Sequence, residues 1–133
     1  MTAVEIVGAL LRDRPEVTAL VPVSRIKAGL LGDNVQLPAL LLRTVSLIER
    51  QELNRIGSVH VTERVSVTVR AATYADQTAI ISRVRKSIAG WPGSMPDAAN
   101  ISVLSAGTGP DVLGPGNSFE QAQDFRISFE EPT

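Results

Sequence analysis

Residues 58–70 read Ser58-Val59-His60-Val61-Thr62-Glu63-Arg64-Val65-Ser66-Val67-Thr68-Val69-Arg70. Valine holds the odd positions and polar side chains the even ones, the period of a β-strand with one face on a core and one in water. That is the mark of an antiparallel sheet. Glu63 interrupts the apolar face, which points to a bulge or to the strand passing a sheet end there. Upstream, Ala39 to Ile48 is aliphatic and β-branched, but Leu40, Leu41 and Leu42 are consecutive before Arg43, Val45 and Leu47 settle into period two. A strand buried on both faces at one end, or bulged, accounts for the slip. A short polar loop around Asn54 to Gly57 joins the two strands as an antiparallel hairpin. Fully extended, Ser58 to Thr73 reaches roughly 50 Å at about 3.3 Å per residue, against a globule about 36 Å across. The hairpin is therefore expected to bend or project, and a projecting edge usually finds a partner.

Outward from the hairpin, Val4, Val7, Leu10 and Leu11 recur at helical spacing, with Glu5 in the first turn, so a helix is expected from Ala3 to about Arg12. Pro15 breaks it, and Asp13 and Pro15 start a short second turn carrying Val17 and Leu20. Val21 to Pro38 is mostly irregular, with a short extended piece at Arg25 and Ile26. Asp76 is the expected cap of a helix with the stripe Ala79, Ile80, Val84 and Ile88, closed by Gly90 and Pro92. Beyond a turn-rich stretch from Pro92 to Ala99, Ile101, Val103 and Ser105 share a strand face, and Phe125, Ile127 and Phe129 alternate in a last strand. The expectation is an α+β fold: an antiparallel sheet of about four strands with a long hairpin, packed by two helices in the order α-β-β-α-β-β.

The composition excludes more than it assigns. With 133 residues the chain suits a single domain over 1–133. No cysteine and one histidine remove thiol nucleophiles, disulfides and Cys/His zinc sites within one chain. A net charge of −1 argues against a chain-wide nucleic-acid or lipid footprint. The longest apolar stretches, Leu37 to Leu42 and Ala19 to Val23, are far too short to span a bilayer, and a soluble intracellular protein is expected.

Candidate chemistry is thin. Residues 106–118, with Gly107, Gly109, Asp111, Gly114 and Gly116, invite a phosphate-loop reading, but no lysine follows Lys86, and Val112 stands where a dinucleotide fingerprint needs glycine. A mobile or partner-ordered loop is the better reading. His60 lies on a polar strand face with no nucleophile elbow, and Glu130 with Glu131, or Glu49 with Glu52, would point to opposite strand faces. Asn100-Ile101-Ser102 matches a glycosylation sequon, which means nothing without secretion. Eleven arginines against two lysines favour bidentate pairing at interfaces. Residues 1–96 carry twelve basic and eight acidic side chains, net +4, and 97–133 one and six, net −5. Such a molecule can associate head to tail, or its two regions can neutralise each other within one fold.

The N-terminal helix, the half-helix ending Thr18-Ala19-Leu20-Val21, the Arg25-Ile26 step, Leu37-Pro38-Ala39-Leu40-Leu41-Leu42, the alternating strand into Ala71-Ala72-Thr73-Tyr74, the helix to Ile88 and the closing Phe125-Arg126-Ile127-Ser128-Phe129 together resemble the tail-completion (tail-terminator, minor tail) proteins of long-tailed bacteriophages and prophages. The resemblance implies a structural virion protein with no active site and no cofactor. It also implies a ring, usually a hexamer, that caps the tail tube at the head-proximal end, stops tube growth and joins the head's connector. The partners so implied are further copies, the tail tube protein and the connector, with neither membrane nor sequence-specific nucleic acid. On this chain, the hairpin from Leu40 to Thr73 would give sheet edges to neighbours, Arg43, Arg64 and Arg70 would carry intersubunit or lumen-facing charge, and the 106–118 loop would order against tube or connector. The alternatives are a neck or connector component of the same particle, a small ligand-binding or enzymatic domain using His60 and the Gly-rich loop, and nucleic-acid binding through Arg64 and Arg70.

Overall fold

A computed structural model of the chain describes residues 2–50 and 57–132. Its elements are α1 (Ala3–Arg12), α2 (Pro15–Thr18), β1 (Ile26–Ala28), β2 (Ala39–Arg50), β3 (Ser58–Ala71), α3 (Tyr74–Ile88), β4 (Pro92–Met95), β5 (Ala98–Thr108), β6 (Val112–Leu113) and β7 (Phe119–Pro132). The α+β class and the order of the main elements follow the sequence pattern. Seven strands stand where about four were expected, because β1, β4 and β6 are two- to four-residue pieces too short to show a period. The sheet is curled and ordered β1-β2-β3-β7-β5-β4, with β6 also on β7. β1 runs parallel to β2, and every other pairing is antiparallel.

α1 starts where the Thr2 hydroxyl accepts the Glu5 N–H at 3.2 Å. α3 begins two residues before the expected cap: Thr73, in extended backbone, accepts the Asp76 N–H at 3.1 Å, so Asp76 lies in the first turn rather than ahead of it. There its carboxylate still suits the positive helix end. The three helices pack against one another, and α1 and α3 lie against one sheet face. Between helices and sheet lie Ile6, Val7, Leu11, Val17, Leu40, Leu42, Val65, Val67, Val69, Ile80, Val84 and Ile88. Phe125, Ile127 and Phe129 continue that core along β7. The stretch read as turns from Pro92 to Ala99 is instead a small β4–β5 hairpin.

The long hairpin does not stand alone, since β7 accompanies β3 along its whole length, from Ser58 opposite Pro132 to Ala71 opposite Phe119. What projects is the outer strand. β1 covers β2 only from Leu40 to Leu42, and from Arg43 to Arg50 every residue is exposed. The alternation slip has two sources, as the sequence suggested: Leu41 is half-buried on the outer face, and a bulge puts Val45 between the Thr44–Val65 and Ser46–Arg64 pairs. Beyond that bulge the inward parity of β2 changes from even to odd residues. Glu63 itself keeps its ladder with β7 and remains buried on the inner face. The irregularity that its charge suggested lies in the neighbouring strand, and the Thr44 hydroxyl donates to Glu63 Oε2 at 2.7 Å. The expected turn at Asn54–Gly57 lies outside the described residues apart from Gly57.

Candidate functional site

The polar face of β3 meets the polar face of β7 in a ladder of cross-strand pairs. Arg70 Nε donates to Glu120 Oε2 at 2.6 Å, Arg64 Nε to Asp124 Oδ2 at 2.8 Å, and His60 Nδ1 lies 3.0 Å from Glu130 Oε1. Thr62 and Ser128 bridge the interval between the last two. β3 supplies the basic members and β7 the acidic ones, so the opposite charges of the two chain regions partly meet within one subunit. Opposite charges across a ladder also hold its register.

The three nominated arginines therefore occupy different environments. Arg70 is buried, and its second branch reaches the Gly32 carbonyl at 2.9 Å, which ties the irregular 29–38 segment to the sheet. Arg64 is half-exposed and also reaches the Ala106 carbonyl at 3.2 Å. Arg43 makes no hydrogen bond or ion pair among the described residues. It lines a groove of about 440 Å³ on the outer sheet face with Leu31, Leu41, Thr44, Val45, Ser66, Thr68, Arg70 and Glu120. His60 has the carboxylate partner that an acid/base reading requires, but the pair sits on a strand ladder and His60 does not line that groove. Glu131 faces away from Glu130 on the same strand, and Glu52 lies outside the described residues. No cluster of three His, Cys, Asp or Glu residues with metal-binding geometry occurs among the described residues, and no helix there is long and apolar enough to cross a membrane.

The Gly-rich segment is not the structureless loop the composition suggested. β6 continues the direction of β5 along the same edge of β7, with Val112 opposite Glu120 and Leu113 opposite Phe119. Gly107 lies in the irregular end of β5 and Gly109 in the break before β6, and Gly114 to Ser118 make the turn into β7, where Gly116 has φ +65°. Asp111 is fastened to α3, accepting from the Tyr74 hydroxyl at 3.0 Å and from Gln77 Nε2 at 2.8 Å. That bond, and the negative charge behind it, raise the Tyr74 pKa above its ordinary 10.0, with a small contribution from burial. Gln77 is fully buried, and its Nε2 also reaches Gln121 Oε1 at 3.2 Å. Gln121 in turn donates to the Gly109 carbonyl at 2.9 Å. Sequence reasoning missed Tyr74 and Gln77. The available signal was Gln77's place in the α3 stripe, three and four residues before Ile80 and Ile81, where a polar residue is buried and needs partners.

Exposed large apolar residues mark the sheet edges. On β2 these are Val45, Leu47 and Ile48, and on the β5–β6 side Leu104, Val112 and Leu113; among the described residues the others are Val23, Leu30 and Tyr74. Open edge and apolar side chains coincide, which is the layout of a surface that meets another chain.

The family model of the tail completion protein gp17 matches residues 5–128, nearly the whole chain. A search of curated proteins finds no match. Among solved structures, a chain described as "Virion of native gene transfer agent (GTA) particle" superposes with a TM-score of 0.58 at 16% identity, covering 98% of this chain and 99% of that one. At that identity the likeness is one of fold. Fold, open edges and family match together define a structural protein of the phage tail. More narrowly, the chain belongs to the tail completion protein gp17 family.

Proposed function

We propose that copies of this chain close into a ring, a hexamer in the simplest case, that caps the finished tail tube at its head-proximal end. The ring ends tube polymerisation and offers the joining surface for the head's connector, and assembly takes place in the host cytoplasm. The observation that carries this reading is the outer half of β2, with both faces and its free edge in solvent and Val45, Leu47 and Ile48 exposed. An isolated subunit gains nothing from leaving that strand uncovered, whereas a neighbour would bury it. Family membership adds the tail as the setting. Of the three arginines, Arg43 is the one available for an intersubunit or lumen-facing role, and Arg64 and Arg70 stabilise the sheet that carries it. The outward side of 106–118, with Val112 and Leu113, is the surface offered to the tube or connector.

The test is light scattering across concentration and salt, with negative-stain imaging, on the chain alone and with purified tail tubes lacking it. A closed ring, free or on the tube end, is the expected result, together with tubes of limited length. Tubes that lengthen unchecked with the chain bound, or a chain that stays monomeric and ignores them, would overturn the proposal.

A further inference from the structure

The four long strands β2, β3, β7 and β5 are antiparallel throughout. With an even number of such strands the two edges run in opposite directions. A second copy displaced sideways in the plane of the sheet therefore brings its β2 antiparallel to the first copy's β5, the pairing with the better hydrogen-bond geometry. Each edge is open where this requires it. On one side β1 stops at Leu42, leaving Arg43 to Arg50. On the other, β4 covers β5 to Ser102 and Trp91 reaches Val103, and from Leu104 to Thr108 the outer side meets no strand among the described residues.

The exposed apolar residues divide between the same two edges, Val45, Leu47 and Ile48 against Leu104. Arg43 to Arg50 carries Arg43, Glu49 and Arg50, and Leu104 to Thr108 carries no charge, so pairing these two edges sets no like charges against each other.

We infer that neighbouring copies join by strand addition, Arg43–Arg50 of one copy pairing antiparallel with Leu104–Thr108 of the next, so that one sheet runs on from subunit to subunit. This rests on the ring reading above and names its interface. It is a head-to-tail contact, which closes into a ring when the rotation per copy allows it.

The chain has no cysteine, so introduced thiols report alone. Ile48→Cys and Leu104→Cys variants, both on the outer sheet face, are prepared separately, mixed at assembling concentration and treated with a short bis-maleimide. A second pair, Ser46→Cys with Leu104→Cys, covers the two-residue offset in register that keeps the same faces together. Cross-linked dimer is expected in the mixtures and not in either variant alone, and the double Ile48→Cys/Leu104→Cys chain is expected to give a ladder of multiples ending at the ring size. Dimer from the Ile48→Cys variant alone would overturn the inference in favour of a two-fold contact. Rings visible by negative stain without a mixed cross-link would overturn it and leave the ring reading intact. A monomer at every concentration and on tail tubes would remove both.

Discussion

Replacing Arg70 with alanine removes the cation from a nearly enclosed pair: its side chain is 10% exposed and that of Glu120 20%. The Glu120 carboxylate is then left largely desolvated with no partner, and the Gly32 carbonyl loses its donor. Breaking a fully buried pair costs about 3–5 kcal/mol, and the partial exposure here brings that to about 2 kcal/mol. The lost carbonyl bond adds about 1 kcal/mol. Arg64→Ala provides the comparison. Its pair has the same chemistry at 2.8 Å, but with the arginine side chain 44% exposed it is worth about 0.5 kcal/mol. For a domain of this size 1 kcal/mol is about 3–4 °C, so Arg70→Ala should melt about 10 °C lower and Arg64→Ala about 2 °C lower. Differential scanning calorimetry on both variants, at a concentration where the wild type has a single oligomeric state, measures the difference. Equal losses, or a larger one at Arg64, would refute the argument that burial decides the value of these two pairs.

Three further outcomes follow from named contacts. Tyr74→Phe removes a group whose raised pKa makes the folded state hold its proton longer than the unfolded chain does. The stabilisation is complete below about pH 10, where free tyrosine titrates, and is lost as pH rises through the raised value, so urea midpoints should fall more steeply above pH 10 in the wild type than in the variant. Parallel slopes would refute the assignment. Glu63→Met takes a carboxylate out of an apolar face between Val61 and Val65, while Thr44 is exposed and can turn its hydroxyl to water; chemical denaturation should show stability unchanged or higher by about 1 kcal/mol, and a loss of that size would count against it. Gly114→Ala places a Cβ 2.6 Å from Ser118 Oγ and 2.9 Å from Glu120 Oε2, pushing Glu120 off Arg70. It should cost about 1–2 kcal/mol alone and measurably less in an Arg70→Ala background, where strictly additive losses would deny the coupling.

The core was legible because its signal is local. Valine at every second position of β3 and the 3.6-residue stripes of α1 and α3 each report their own buried face without reference to the rest of the chain. The environments of the arginines were not legible, because Arg64 and Arg70 occupy equivalent places in the β3 pattern and differ only in what crosses over them: Gly32 closes over Arg70, and solvent reaches Arg64. The Gly-rich segment misled for a related reason. Glycine and proline mark turns and breaks correctly, but they do not reveal that the strand resumes afterwards in the same direction along β7, held by Asp111 to a helix more than thirty residues earlier. Deleting 106–118, which the composition alone would treat as harmless to the fold, removes the end of β5, all of β6 and the anchor on α3.

The bulge at Val45 means that β2 holds one residue more than its ladder needs. A one-residue deletion anywhere from Thr44 to Ser46 can therefore be absorbed by drawing in the surplus, leaving Leu47 opposite Glu63 and Arg50 opposite His60, whereas a deletion from the regular run of Val65 to Val69 in β3 turns the following side chains inside out. Evolution thus has an inexpensive route to a straighter outer strand, by loss of a single codon, that a survey of point substitutions would never visit. The same loss would also remove the bulge that interrupts a long exposed edge, so such variants should be recoverable as folded chains and recognisable by their tendency to form fibrils.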